Sequence, residues 1–239
     1  MSRHEELLET LQSLADPEGV AGQARFGITG ANRLGIRVTD LRRIARPHRR
    51  DHDLAAELWA TGIHEARILA TLVDDPKKVT VRQMEQWVRD FDSWDIVDGA
   101  CGNLLDRTPF AMAKALEWSK RTAEFQKRAA FALMAYIAVH DKKAPDETFE
   151  PFLAAIEREA HDDRNFVRKA VNWALRQIGK RNEALNEHAI RTAESIKRQD
   201  TRSARWIAND ALRELRSDAV RRKVLPVGTS AHRRGGRSA

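Results

Sequence analysis

Trp94 and Asp98 stand four residues apart in the stretch from Asp90 to Leu105, DFDSWDIVDGACGNLL. That spacing sets an indole and a carboxylate on one face of a helix. Val97, Ala100 and Leu104 form a separate apolar stripe, so the pair falls outside the expected core face. Asp92 and Asp95 have local structural work, because their spacing at the helix start fits a capping-box-like arrangement. Asp98 has none of that kind. Gly99 and Gly102 each cost about 1 kcal/mol of helix propensity relative to Ala, a cost that suits close approach by another helix or a ligand. A carboxylate in an aromatic-lined cleft can stabilise a sugar that acquires oxocarbenium character, or orient water for attack on its C1 atom. Such chemistry calls for no metal and no cofactor. A second reading of the same residues stays open, in which Trp94 packs between helices and Asp98 pairs with an arginine.

Trp173 in NFVRKAVNWALRQ has Lys169 four residues before it and Arg176 three after, which places aromatic and basic groups on a shared face. Core packing is the alternative for this tryptophan. Arg128 in FQKRAAF either joins helices through a salt bridge or points into a groove, where such arginines hold phosphates and set register without reading bases. Trp59, Trp87, Trp118 and Trp206 are expected at helix interfaces. Cys101, the single cysteine, reads as buried filling and excludes an intrachain disulfide. His64 and Glu65 lack the second histidine of a zinc helix. GITGANRLG lacks the lysine pattern and strand context of a phosphate loop.

The elements that must position these side chains are helices. Ala, Leu, Glu, Gln and Arg dominate with almost no strand alternation, and the pattern predicts helices near 2–14, 51–60, 63–73, 80–91, 93–105, 109–119, 123–140, 147–160, 163–179, 182–197 and 201–217. The first stops at DPEG, and a glycine- and arginine-rich segment over 20–50 precedes the regular array. Aligning Arg128, Lys169 and Arg205 gives intervals of 41 and 36 residues, the length of two-helix HEAT-like units; Arg67 lies 61 residues before Arg128. The expected fold is therefore all-α, a HEAT-like repeat α-solenoid superhelix with a concave basic groove, one domain over 1–220. Residues 221–239, with glycines and arginines but no apolar period, read as a flexible basic tail.

A formal charge of +7, spread over most of 239 residues, fits a polyanionic partner. One cysteine, no signal-peptide pattern and no apolar run of membrane length lead to the expectation of a soluble, cytoplasmic protein.

In this order, SWDIVD, FQKRAAF and FVRKAVNWALR resemble the AlkD-like DNA alkylation repair glycosylases over about residues 20 to 217. The resemblance implies an all-helical superhelix that wraps duplex DNA and hydrolyses the N-glycosidic bond of N3- or N7-alkylated purines, such as 3-methyladenine and 7-methylguanine, in base-excision repair. It implies Asp98 as the catalytic carboxylate, Trp94 and Trp173 as the aromatics flanking the lesion's deoxyribose, and Arg128 and Arg176, with Lys169, as DNA-binding groups. A monomer supplies the whole implied site. Two departures stand out: Ser93 occupies a position where the family often has a second tryptophan, and GITGANRLGIRV is not the usual tyrosine- and lysine-containing segment. The contrasting expectation is a noncatalytic helical-repeat protein that binds distorted or branched DNA, or a protein.

Overall fold

Oxygen-bearing side chains cap half of the fourteen α-helices among the described residues. Ser2, Asp16, Asp51, Thr80, Asn182, Thr201 and Ser217 each accept a hydrogen bond from a backbone N–H in the first turn that follows, satisfying donors that the helix itself leaves unpaired. The computed structural model describes residues 2–225, and all regular elements in that span are helical. The helices are α1 (Arg3–Ser13), α2 (Pro17–Arg25), α3 (Val38–Ala45), α4 (His52–Ala60), α5 (His64–Val73), α6 (Val81–Arg89), α7 (Trp94–Asn103), α8 (Ala111–Trp118) and α9 (Glu124–His140). They continue with α10 (Glu150–Glu159), α11 (Asn165–Ile178), α12 (Glu183–Lys197), α13 (Arg202–Leu215) and α14 (Asp218–Val224). The chain divides within α9 into two compact units, Met1–Ile137 and Ala138–Ala239.

The eleven helices expected from periodicity all form, and three more appear. DPEG both ends α1 and begins α2, because Asp16 caps the new helix and Pro17 occupies its first turn, where a missing N–H costs nothing. In α3, VTDLRRIA, the arginines conceal a short amphipathic helix that buries Leu41 and Ala45. Ser217 caps α14, which runs into the stretch expected to be a tail; the remainder of that expectation, 226–239, lies outside the described residues.

In the first unit α4 packs on α5, and α5 lies between α3 and α7, so each helix pair covers the apolar face of the next. Trp59 and Trp87 are buried and stacked with ring centroids 3.9 Å apart and an interplanar angle of 3°, with Phe91 edge-on to Trp59. Trp118 is buried too, and its indole donates to Glu85 across the α6–α8 junction at 2.9 Å. In the second unit α11 and α12 both pack on α13. A Cβ on Gly179 would lie 2.7 Å from Leu215 and 2.8 Å from Ala189, so this helix end admits only glycine without repacking. Trp206 departs from expectation: it is exposed on α13, beneath the Arg168 guanidinium at 5.1 Å.

Glu85 is an electrostatic anchor of the first unit. Burial pushes its carboxyl up, but hydrogen bonds from Arg121, Trp118 and Lys114 outweigh burial and hold it at about 2, below its ordinary 4.5. A depressed carboxyl contributes stability above the unfolded-state value and loses it as pH falls towards the folded-state value. Glu85→Gln is therefore expected to cost about 1–2 kcal/mol at pH 7, after allowance for solvent screening. The gap from wild type should close as pH falls below about 4. Urea unfolding at several pH values checks this; a gap that does not narrow would assign the effect to packing.

Candidate functional site

The site begins with how α7 is held. Its N-cap is Ser93, not Asp92, and the Ser93 hydroxyl makes no capping bond to the backbone. Ser93 is fully buried and donates instead to Asp95, whose other oxygen pairs with Nε2 of the buried His64 at 2.8 Å. Burial works against the Asp95 charge, yet His64 and Ser93 overcome it and hold the carboxyl below its ordinary range. The expected Asp92–Asp95 capping box is thus replaced by a tie from α7 to α5. Asp92 is left exposed, with Arg67 at 3.8 Å.

Val97, Ala100 and Leu104 are completely buried, while Trp94 and Asp98 on the other face are partly exposed. Asp98 accepts two hydrogen bonds from the Arg128 guanidinium of α9, at 3.1 Å from Nε and 2.8 Å from Nη2. This is a side-on bidentate ion pair with Arg128 the more buried partner; side-chain exposures are 8% for Arg128 and 20% for Asp98. Burial pushes the Asp98 carboxyl above the ordinary aspartate value; Arg128 pulls the other way and Asp95 adds a small upward push. The Trp94 ring lies 5.9 Å from the same guanidinium, so indole, carboxylate and guanidinium form one cluster. One of the two open readings of Asp98, pairing with an arginine, is realised, and its partner is the arginine singled out for phosphate.

Gly102 explains how α7 and α9 come close enough. A Cβ there would fall 2.3 Å from the Tyr136 ring, whereas at Gly99 the nearest contacts are ordinary at 3.7 Å. Of the two glycines, only Gly102 is a close-approach point. Cys101 is buried on this interface, points at the Ala129 carbonyl and has its thiol pushed up by burial, so it is filling.

The indole N–H of Trp94 donates to the Phe26 carbonyl at 3.0 Å, joining the cluster to the glycine- and arginine-rich segment. That segment is built on Glu65, a fully buried carboxylate of α5 that accepts from the Leu34 and Gly35 N–H groups at 2.7 and 2.8 Å and from the Gln23 side chain at 3.0 Å. Arg33 closes the loop on itself through the carbonyls of Val20, Ile28 and Gly30. The segment is therefore an ordered wall beside Trp94. Sequence reasoning passed over Glu65 after testing it only as a zinc-helix residue; its signal was a carboxylate one helical turn before Ile68 and Leu69, on the buried side of α5.

The second unit carries the other expected residues, all on α11. Lys169 is exposed and Trp173 is partly buried. Arg176 is committed to α13, with Glu214 at 2.5 Å and Asp210 at 3.6 Å, and Lys180 shares Glu214 at 2.7 Å. Arg176, expected as a DNA-binding group, thus also links α11 to α13, and its side chain stays partly exposed. Among the described residues no cluster of three histidine, cysteine or carboxylate side chains is arranged to hold a metal, and no helix is long and apolar enough to cross a membrane.

The model of the DNA alkylation repair enzyme family matches residues 7–215. The chain belongs to that family. Among curated relatives, the uncharacterized protein Lin0241 of Listeria innocua is 24% identical over 200 residues, covering 82% of this chain and 87% of its own. The uncharacterized protein Lmo0209 of Listeria monocytogenes is 22% identical over the same shares. One solved structure is similar with a TM-score of 0.74 at 18% identity, covering 90% of this chain and 96% of its own. It represents a new family of proteins related to the HEAT-like repeat DNA glycosylases with affinity for branched DNA structures. At that identity the likeness speaks for the fold, an all-α helical-repeat architecture of the HEAT-like kind. Family membership covers α1 through α13 and so spans every candidate residue above, in both units.

Proposed function

We propose that this protein is a monofunctional DNA glycosylase that hydrolyses the N-glycosidic bond of N3- or N7-alkylated purines in duplex DNA. The observation that carries the reading is Asp98, a partly exposed carboxylate that Arg128 and the Trp94 face support without enclosing. An alkylated purine already carries positive charge and leaves as a neutral base, so the reaction needs little acid catalysis. The demand falls on the sugar, whose C1 becomes cationic as the bond breaks. Asp98 opposes that charge and positions a water for attack, Trp94 offers an aromatic face to the cationic ring, and Trp173 is assigned the second face. Arg128, with Lys169, holds phosphates, and Arg128 also pulls the Asp98 carboxyl down against the upward push of its burial.

Incubation of methylated duplex with protein in excess over lesion should release 7-methylguanine or 3-methyladenine. The absence of release above an enzyme-free control overturns the reading. A second reading is favoured by one observation, that both Asp98 oxygens are already engaged by Arg128: a noncatalytic protein that, like the relatives of the similar solved structure, has affinity for branched DNA. Tight binding to a branched junction without base release selects it.

The pH dependence follows from Asp98. Because its carboxyl sits above the ordinary aspartate value, base release should fall on acidification at a higher pH than a normal aspartate would give. Arg128→Gln removes the opposing pull and should move this limb further upward. Single-turnover rates across pH, corrected for spontaneous depurination, test the assignment, and a limb unmoved by Arg128→Gln would refute it.

A further inference from the structure

Trp94 and Asp98 occupy the first half of α7, and the other end of the helix opens on a different feature. Asn103, the last residue of α7, and Arg107 just beyond it line a cavity of about 660 Å³. Its wall also contains Arg42 and Arg46, from the end of α3 and just past it, and Arg49 and Arg50 that follow. Five arginines line this one cavity, so their positive charges repel each other, and all five residues are exposed. Some arginines of this unit meet carboxylates, as Arg3 does with Asp51, Arg43 with Asp40, Arg121 with Glu85 and Arg128 with Asp98, while Arg25, Arg37, Arg82 and Arg89 stand apart from the cavity with no carboxylate beside them. Among the described residues none pairs with Arg42, Arg46, Arg49 or Arg50, and Arg107 has only Asp106 at 4.0 Å.

The one carboxylate in the cavity wall is Asp74. Its side chain is fully buried and already accepts from His52 Nδ1 and from the Gln83 amide, both at 2.7 Å. Burial pushes its carboxyl above the ordinary aspartate value, while His52 and Gln83 pull it down, and five arginines outnumber this one carboxylate in the wall. Arg50 makes the turn that leads into the Asp51 cap of α4. Its φ of 67° lies in the left-handed region, which costs a side-chain-bearing residue about 1–2 kcal/mol.

We propose that this cavity is a phosphate-binding site that grips a stretch of DNA backbone other than the phosphates beside the sugar at Asp98. It rests on the DNA-binding part of the function proposed above and is independent of catalysis. Guanidinium forks match phosphate oxygens in pairs, and the volume falls in the range of sites that enclose a nucleotide-sized ligand. From Asp98 to Asn103 the helix rises about 7.5 Å, so a backbone passing Trp94 and one held in the cavity occupy separate parts of the same helix.

The test is an Arg42→Ala/Arg46→Ala/Arg49→Ala triple variant titrated with undamaged duplex over a range of salt. Every phosphate that the protein no longer neutralises should reduce the slope of log affinity against log salt by about 0.9, so a drop of about 2 to 3 is expected, with at least tenfold weaker binding at low salt. Removal of repelling surface charges should leave the thermal midpoint unchanged or raise it, which separates the effect from misfolding. Neutral methylphosphonates scanned along the duplex should weaken wild-type binding at positions away from the lesion, and those losses should vanish in the triple variant. An unchanged slope and affinity overturn the proposal, as does a wild-type protein that binds no duplex at low salt. Inorganic phosphate that stabilises only the wild type, with no change in the DNA slope, overturns it in favour of a small-anion site. Because the duplex is undamaged, failure of base release sinks the glycosylase reading alone, while an unchanged salt slope sinks this site alone.

Discussion

Asp98→Asn is expected to lower single-turnover release of 7-methylguanine from duplex DNA by about 10²–10³-fold, the usual cost of removing one electrostatic group aimed at charge that develops in a transition state. The substitution has a structural effect too, because Arg128 is buried and loses the charge of its bidentate partner. A loss of about 1–3 kcal/mol in stability should accompany it. The two effects separate in a double-mutant cycle. In Asp98→Asn/Arg128→Gln the buried cation is gone and two amides can hydrogen-bond across α7 and α9, so most of the stability should return with a coupling of about 1–3 kcal/mol. Base release should not return. Thermal melts and single-turnover assays on the four proteins supply the cycle. If activity recovers in step with stability, Asp98 is a structural anion and the mechanism assigned to it fails.

The same pair marks how far the sequence could be read. Helical periodicity carried the eleven expected helices because each buries a continuous apolar stripe, as Val97, Ala100 and Leu104 do in α7. The separation of Trp94 and Asp98 from that stripe was legible for the same reason. Helical spacing reports neighbours on one helix, however, and is silent on the helix opposite. Arg128 and Asp98, 30 residues apart, could each be singled out, but their bidentate pairing depends on how closely α7 meets α9, and Gly102 sets that distance against Tyr136. Arg176 shows the converse: its one-turn relation to Trp173 was visible, while Glu214 and Asp210 on α13 were not. Capping was misassigned by one residue because Asp92, Ser93 and Asp95 all carry suitable oxygens, and the buried His64 decides among them. The segment over 20–50 was the hardest to read. Its order comes from long-range bonds to Glu65 and from interlocked glycines, and neither leaves a periodic trace.

Those glycines carry the other large expected effect, in Gly35→Ala. Gly35 has φ +78°, in the left-handed region, and a Cβ there would lie 2.2 Å from the Asp16 carbonyl oxygen and 2.6 Å from the Val20 nitrogen. Gly19 faces it, with a hypothetical Cβ 2.2 Å from the Gly35 oxygen. The obstructing atoms are backbone, so no rotamer change relieves them, and the left-handed conformation adds its own penalty. A local cost of about 3–5 kcal/mol follows, enough to free the Gly35 N–H from Glu65 and leave that buried carboxylate short of a donor. Because α2 and the loop after it depend on this contact, hydrogen exchange in 17–36 should accelerate by about 10²–10³-fold, while the core of α11 and α13 stays protected. Gly22→Ala, in the same helix with open space around it, should leave stability unchanged or raise it by up to about 1 kcal/mol. The consequence for the site runs through Trp94, whose indole N–H is held by the Phe26 carbonyl at the end of α2. Once α2 loosens, the indole loses that acceptor and swings about its own side-chain bonds, so base release should fall even though Asp98 and Arg128 remain paired. Unchanged exchange in 17–36 would show that Glu65 alone holds the segment. Faster exchange with full activity would show that the Trp94 orientation does not depend on Phe26.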